Sequence, residues 1–139
     1  MAALKKRYYP KIAEEVYLAT LDNGMSLSII KKKGFIEKAA FLSTNFGALD
    51  NRFYIDGKLQ TYPAGIAHFL EHKLFEDDQG RDVTLDFVKL GADVNAFTTL
   101  DRTTYYFSTI DHFEESLELL LKFTSEFTSS EDTVNHEKR

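Results

Sequence analysis

The 139-residue chain contains no cysteine. Disulfides are excluded, and so is any thiolate metal ligand. The composition fits a reducing compartment. No apolar run approaches the length of a membrane span. The amino end, residues 1–7, is basic, but no apolar signal core follows it. The expectation is a cytoplasmic protein with no membrane partner. Positive charge is also in short supply: the net charge is −5, which disfavours nucleic acid as the main partner. Repeats and low-complexity segments are absent. What is present is globular: apolar residues make up 43%, and aromatics include twelve Phe and seven Tyr. The length suits one domain with a modest core.

Residues 1–15 are polar, with Tyr8, Tyr9 and Pro10, and read as an arm over a core of residues 16–139. Residues 16–21 and 26–31 alternate around Asp22-Asn23-Gly24, a strong hairpin signal. Lys31-Lys32-Lys33 reads as a solvated turn. Residues 38–44 read as a third strand, mostly apolar and so more buried. Residues 45–62 read as a long polar loop, either functional or a surface excursion, leading into the next helix. Residues 83–90 suggest a short amphipathic helix using Leu85, Phe87, Val88 and Leu90. Residues 94–99 and 103–109 are β-branched and aromatic, a second hairpin turned by Leu100-Asp101-Arg102. Asp111 is placed to cap a helix whose core face is Phe113, Leu117, Leu120, Leu121 and Phe127. Ser129-Ser130 breaks that helix, and another begins near Ser130 or Glu131. Strands and helices segregate rather than alternate. The expected fold is α+β, an antiparallel-rich sheet packed against helices.

One stretch organises the rest: His68-Phe69-Leu70-Glu71-His72. On a helix, His68 and His72 are one turn apart and share a face, so both can hold one divalent metal. Glu71 lies about 60° round from His68, beside the metal rather than behind it. A carboxylate there can take a proton from a metal-activated water. Pro63 suits the first helical position. Ile66, Phe69, Leu70 and Leu74 form the apolar stripe, and Gly80 is the natural stop. Glu76, Asp77 and Asp78 then make a solvated exit. The competing reading is a polar helix edge with no metal, because three fixed positions also arise by chance.

The surroundings resemble a known family, the pitrilysin or insulinase-type zinc peptidases, which include the mitochondrial processing peptidases. Leu21-Asp22-Asn23-Gly24-Met25 is similar to the family's opening turn. Gly65-Ile66-Ala67-His68-Phe69-Leu70-Glu71-His72 is similar to its Gly-x-x-His-x-Leu-Glu-His. Asn95-Ala96-Phe97-Thr98 and Thr103-Thr104-Tyr105 follow in the family's order. The stretch from Gly47 to Phe53 most resembles a bacterial, Gram-positive, processing-type branch. S-ribosylhomocysteine lyases carry a similar string but need Cys, which this chain lacks.

The resemblance implies a zinc endopeptidase that cleaves extended or unfolded peptides. His68 and His72 would be metal ligands and Glu71 the general base. Asn95 and Ala96 would hold the substrate backbone by edge pairing. The family's third ligand is a later glutamate. Glu137-Lys138 resembles the first half of its motif, which puts Glu137 beside the ligands rather than among them. The chain therefore reads as one incomplete amino-terminal catalytic domain, residues 1–139, truncated at its carboxyl end and inactive alone. His112 and His136 match no ligand and read as solvent-facing. A paired peptidase subunit and self-association of the fragment are further expectations. The alternative is a non-catalytic partner subunit or a metal-poor folding domain of the same family.

Overall fold

The Asp22-Asn23-Gly24 turn reverses the chain as its residues predict. In the computed structural model, which describes residues 3–126, β2 (Glu14–Thr20) pairs antiparallel with β3 (Ser26–Ile30) in the register Val16↔Ile30 to Thr20↔Ser26. The expected arm is a strand instead. β1 (Lys5–Tyr9) pairs with β2 from Lys5↔Leu18 to Tyr9↔Glu14. Its charge hid it, because ladder hydrogen bonds are made by the backbone and an edge strand tolerates lysine. Lys6 meets Glu15 across the pair at 2.6 Å, and Lys32 pairs with Glu14. These three strands, in the order β1-β2-β3, form a unit of residues 1–35, and none of its described residues is fully buried.

The second unit begins at Ile36. Its sheet runs β4-β8-β7, all antiparallel: β4 (Lys38–Thr44), β8 (Thr103–Thr109) and β7 (Asp93–Thr98). The central strand β8 is the most buried. β4 was expected to be buried too, but it is an edge, and most of its residues are exposed. Phe41 is 66% exposed and stacks on Tyr106, its cross-strand partner, at 5.3 Å. The other face carries the core: Phe87, Phe107, Leu120, Phe123, Tyr105, Val83 and Ala92. With α1 (Ile66–Leu74), α2 (Thr84–Lys89) and α3 (Phe113–Ser125), this makes an α+β fold of antiparallel sheets and helices.

Residues 45–62, read as a loop, contain a hairpin: β5 (Arg52–Ile55) and β6 (Lys58–Thr61), joined by Asp56-Gly57. Asp-Gly is a two-residue hairpin turn, and both residues have positive φ. Phe53 at its base stacks on Tyr62 and meets Phe46 edge-on. The segment before it lies along the β7–β8 turn. Ala48 N–H donates to Thr99 O, and Leu49 N–H donates to Leu100 O. A Cβ on Gly47 would lie 2.4 Å from the Arg102 nitrogen, so only glycine fits there.

Several boundaries move. α1 starts at Ile66, after Gly65 at φ 88, so Pro63 lies before the helix rather than at its first position. It ends at Leu74, well before Gly80. In α2, Phe87 is fully buried, whereas Leu85 and Val88 are exposed. α3 is preceded by His112 at φ 55 with no side-chain cap, so Asp111 does not cap it. The buried line of α3 is Ser116, Leu120 and Phe123, and Leu121 is 41% exposed. Expectations for Phe127, Ser129, Ser130, Glu131, His136 and Glu137 fall outside the described residues.

Candidate metal centre

Helical spacing of four brings the two imidazoles together. His68 Nε2 and His72 Nε2 are 3.0 Å apart, with rings crossing nearly at right angles. Both side chains are exposed. Glu71, about 60° round the helix from His68, turns into the protein and is 8% exposed. One ligand atom from each of His68, Glu71 and His72 lies within 4.8 Å of the others. A tetrahedral zinc with Zn–N near 2.0–2.1 Å sets its nitrogens about 3.3 Å apart. The observed pair meets that with a small spread. The two imidazoles are zinc ligands by type and need no thiolate.

The expected apolar stripe of α1 is only half-buried at Ile66, Phe69, Leu70 and Leu74. The fully buried positions are Ala67, Glu71 and Lys73. Ala67 and Glu71 are one turn apart, so the line that enters the protein carries the carboxylate. The His pair is left at the rim.

Glu71 is held by β7. The Thr98 hydroxyl donates to Glu71 Oε2. Tyr105, on β8, lies close enough to feel that carboxylate. Its phenol is pushed above the usual tyrosine range, first by burial and then by the Glu71 charge. An open cleft of about 500 Å³ adjoins the triad, walled by Glu71, His72, Phe75, Glu76, Asp82, Val94 and Asn95 among others. The carboxyl end of α1 is less free than a solvated exit. Lys73 is 1% exposed and pairs with Glu76 at 2.7 Å. Asp77 accepts from the Gln79 and Arg81 backbone amides and from the Arg81 side chain. Those bonds hold the Asp77 carboxyl below its ordinary range, chiefly through Arg81.

The fold thus brings Glu71, His72 and Asn95 to one cleft, with His68 beside His72. Asn95 is exposed on β7, and its Oδ1 accepts from the Ala96 N–H at 2.8 Å. Ala96 packs half-buried against the core instead of lining the cleft wall. Among the described residues β7 is an edge of its sheet, with β8 on one side only. His112 stands apart, with its ring 3.2 Å from Glu115. Thr98 and the Lys73–Glu76 pair carry no function in a sequence reading. Thr98 was visible only as the last letter of Asn-Ala-Phe-Thr, and its partner lies 27 residues away.

Two imidazoles with a buried carboxylate beside them, next to a cleft and an open sheet edge, form a group that could hold a divalent metal ion. The chain belongs to the insulinase family, peptidase family M16, whose family description matches residues 60–139. It is 43% identical over 137 residues to the zinc protease YmfH of Bacillus subtilis, covering 97% of this chain and 32% of that protein. It is 28% identical over 130 residues to a mitochondrial-processing peptidase subunit beta of Arabidopsis thaliana, covering 91% of this chain and 23% of that one. Among solved structures, an M16-like peptidase from Alicyclobacillus acidocaldarius superimposes with a TM-score of 0.83 at 36% identity, over 90% of this chain and 29% of that one. The chain therefore spans about a third of the length of YmfH. No helix among the described residues is long and apolar enough to cross a membrane.

Proposed function

We propose that the chain carries the metal-binding part of a zinc endopeptidase that cleaves extended or unfolded peptides. The observation that carries this reading is the triad itself: two imidazole nitrogens 3.0 Å apart, with a buried carboxylate beside them at an open cleft. His68 and His72 hold the ion, and the chain's relatives in Bacillus subtilis are named zinc proteases. When bound, zinc supplies a Lewis acid for the scissile carbonyl and acidifies the attacking water. Glu71 takes the proton from that water as general base. The Thr98 hydroxyl holds its buried carboxylate near Tyr105 in the wall of the cleft.

The substrate backbone lies along β7 as an added strand. Asn95 and Ala96 bind it, with the Ala96 N–H exchanging its bond to Asn95 Oδ1 for the peptide. A third protein ligand comes from outside the described residues, with Glu137 supporting it. We assign residues 1–139 to a single catalytic-domain segment that spans about a third of the length of YmfH. Alone, the 139-residue chain is inactive and self-associates. In the cell it is cytoplasmic, and a paired peptidase subunit is its expected partner. The intact triad disfavours a non-catalytic partner subunit, because such a subunit has no use for Glu71.

The test is Glu71→Gln in the full-length zinc-loaded protein, on an unstructured peptide. Zinc content stays at the parental level and turnover falls by roughly 10²–10⁴-fold. Parental turnover with full zinc content removes Glu71, and the mechanism with it.

A further inference from the structure

We infer that Thr98 is a positioning residue for this reaction: its hydroxyl fixes the carboxylate of Glu71. The inference rests on the reading of Glu71 as general base.

The donors can be counted. Thr98 and Thr103 face each other across β7 and β8, directly paired in register, with their hydroxyls 3.5 Å apart. Each has one proton to give. Thr103 gives its proton to Phe46 O at 2.8 Å, and Thr103 is 2% exposed, so no water competes for that bond. Towards Thr98, the Thr103 oxygen can therefore only accept. The Thr98 proton then has two acceptors, a neutral oxygen at 3.5 Å and the closer, charged Glu71 Oε2. The charged acceptor wins, since hydrogen bonds to ions are about twice as strong as neutral ones. Among the described residues the Glu71 carboxylate has no other hydrogen bond. A glutamate has three side-chain torsions, and burial alone does not fix the last of them. Thr98 does.

The device is anchored at its far end. Phe46 O, which takes the Thr103 proton, belongs to the segment that Gly47 lets lie against the β7–β8 turn. Ala48 and Leu49 bond that turn through their backbone amides. Thr98 thus stands on a rigid hairpin end, whereas Glu71 stands on a helix. The hydroxyl is the link between the two.

The test uses the full-length zinc-loaded protein and two variants. Thr98→Val keeps shape and β-branching but removes the hydroxyl. It should lower kcat by about 10–100-fold, the usual cost of losing a supporting hydrogen bond at a metal site. KM and zinc content should stay within about twofold, because the variant loses only a side-chain hydroxyl that ligates no metal, whereas β7 pairs with the peptide through its backbone. Thr98→Ser restores the hydroxyl and should recover kcat to within about threefold of the parent. A crystal structure of zinc-stripped Thr98→Val should show the Glu71 carboxylate turned away from its parental position. Parental kcat in Thr98→Val overturns the inference, as does an unmoved Glu71 in that crystal. Equal loss in the Val and Ser variants also overturns it, because packing is then the cause. If Thr98→Val does not fold, Thr98→Ala replaces it under the same criteria. Full activity of Glu71→Gln instead strikes the underlying reading. An inactive Glu71→Gln beside a fully active Thr98→Val strikes only the role of Thr98.

Discussion

The two three-stranded sheets of this chain are built on opposite terms. β1-β2-β3 has three paired strands, a strong Asn-Gly turn and cross-strand ion pairs, yet no described residue in it is fully buried. Leu27, Ile29 and Ile30 are all at least 36% exposed. β4-β8-β7 has a central strand buried over most of its length, with helices on one face. Among the described residues only this second region buries polar side chains, and each finds a partner. Thr103 donates to Phe46 O, Ser116 donates to His112 O, Thr104 bonds Ser43, Lys73 pairs with Glu76 and Glu71 accepts from Thr98. Buried polar groups cost free energy unless they are paired. Such a network is affordable only where a core encloses it, and the Glu71 carboxylate sits inside it. Backbone pairing alone makes a sheet. A site also needs burial to hold its side chains in place.

That contrast sets the order of expected mutational costs. Phe87→Ala empties the centre of the core and should cost about 3–5 kcal/mol by chemical denaturation. A loss below about 1 kcal/mol would mean that this core does not carry the fold. Gly47→Ala drives a methyl into the backbone of the β7–β8 turn. It should cost roughly 2–3 kcal/mol, with Phe46 O shifted away from Thr103. Ile29→Ala, on a strand without a buried face, should cost less than about 1 kcal/mol. A larger loss there would erase the contrast.

The smallest effect is one of pH. Tyr105 is neutral in the fold, and its phenol is held above the ordinary value of about 10. An unfolded tyrosine ionises near that value and the folded one only at higher pH. Its contribution to stability is therefore whole below about pH 10 and is lost as pH rises towards the folded value. Tyr105→Phe removes this loss. Thermal melts should fall less steeply above about pH 10 in the variant than in the parent. Equal slopes would place Tyr105 in a less buried setting.

How much of this was legible in the sequence varies with the range of the interaction. His68, Glu71 and His72 could be read because their geometry is local, one helical turn. Both long hairpins could be read from alternation around a turn. β5–β6 was missed although Asp56-Gly57 marks its turn, because four-residue strands with exposed Tyr54 and Leu59 give no burial pattern. β4 reads as buried from its apolar residues, but its edge position, which no local pattern records, decides otherwise. The His112 φ of 55 replaced the expected Asp111 cap, and it answers to how the strand enters the helix, not to propensity. Thr98 was out of reach for the same reason: its role exists only once β7 lies against α1.

Zinc titration of the stripped full-length protein, followed by calorimetry, tests the metal assignment most directly. The parent should bind one ion. His68→Ala and His72→Ala should each weaken binding by more than about 100-fold, beyond what supporting residues usually cost. Glu71→Gln should bind within a few-fold of the parent if Glu71 is the proposed base and not a ligand. Unchanged affinity in either histidine variant, or loss of zinc in Glu71→Gln alone, would contradict the site.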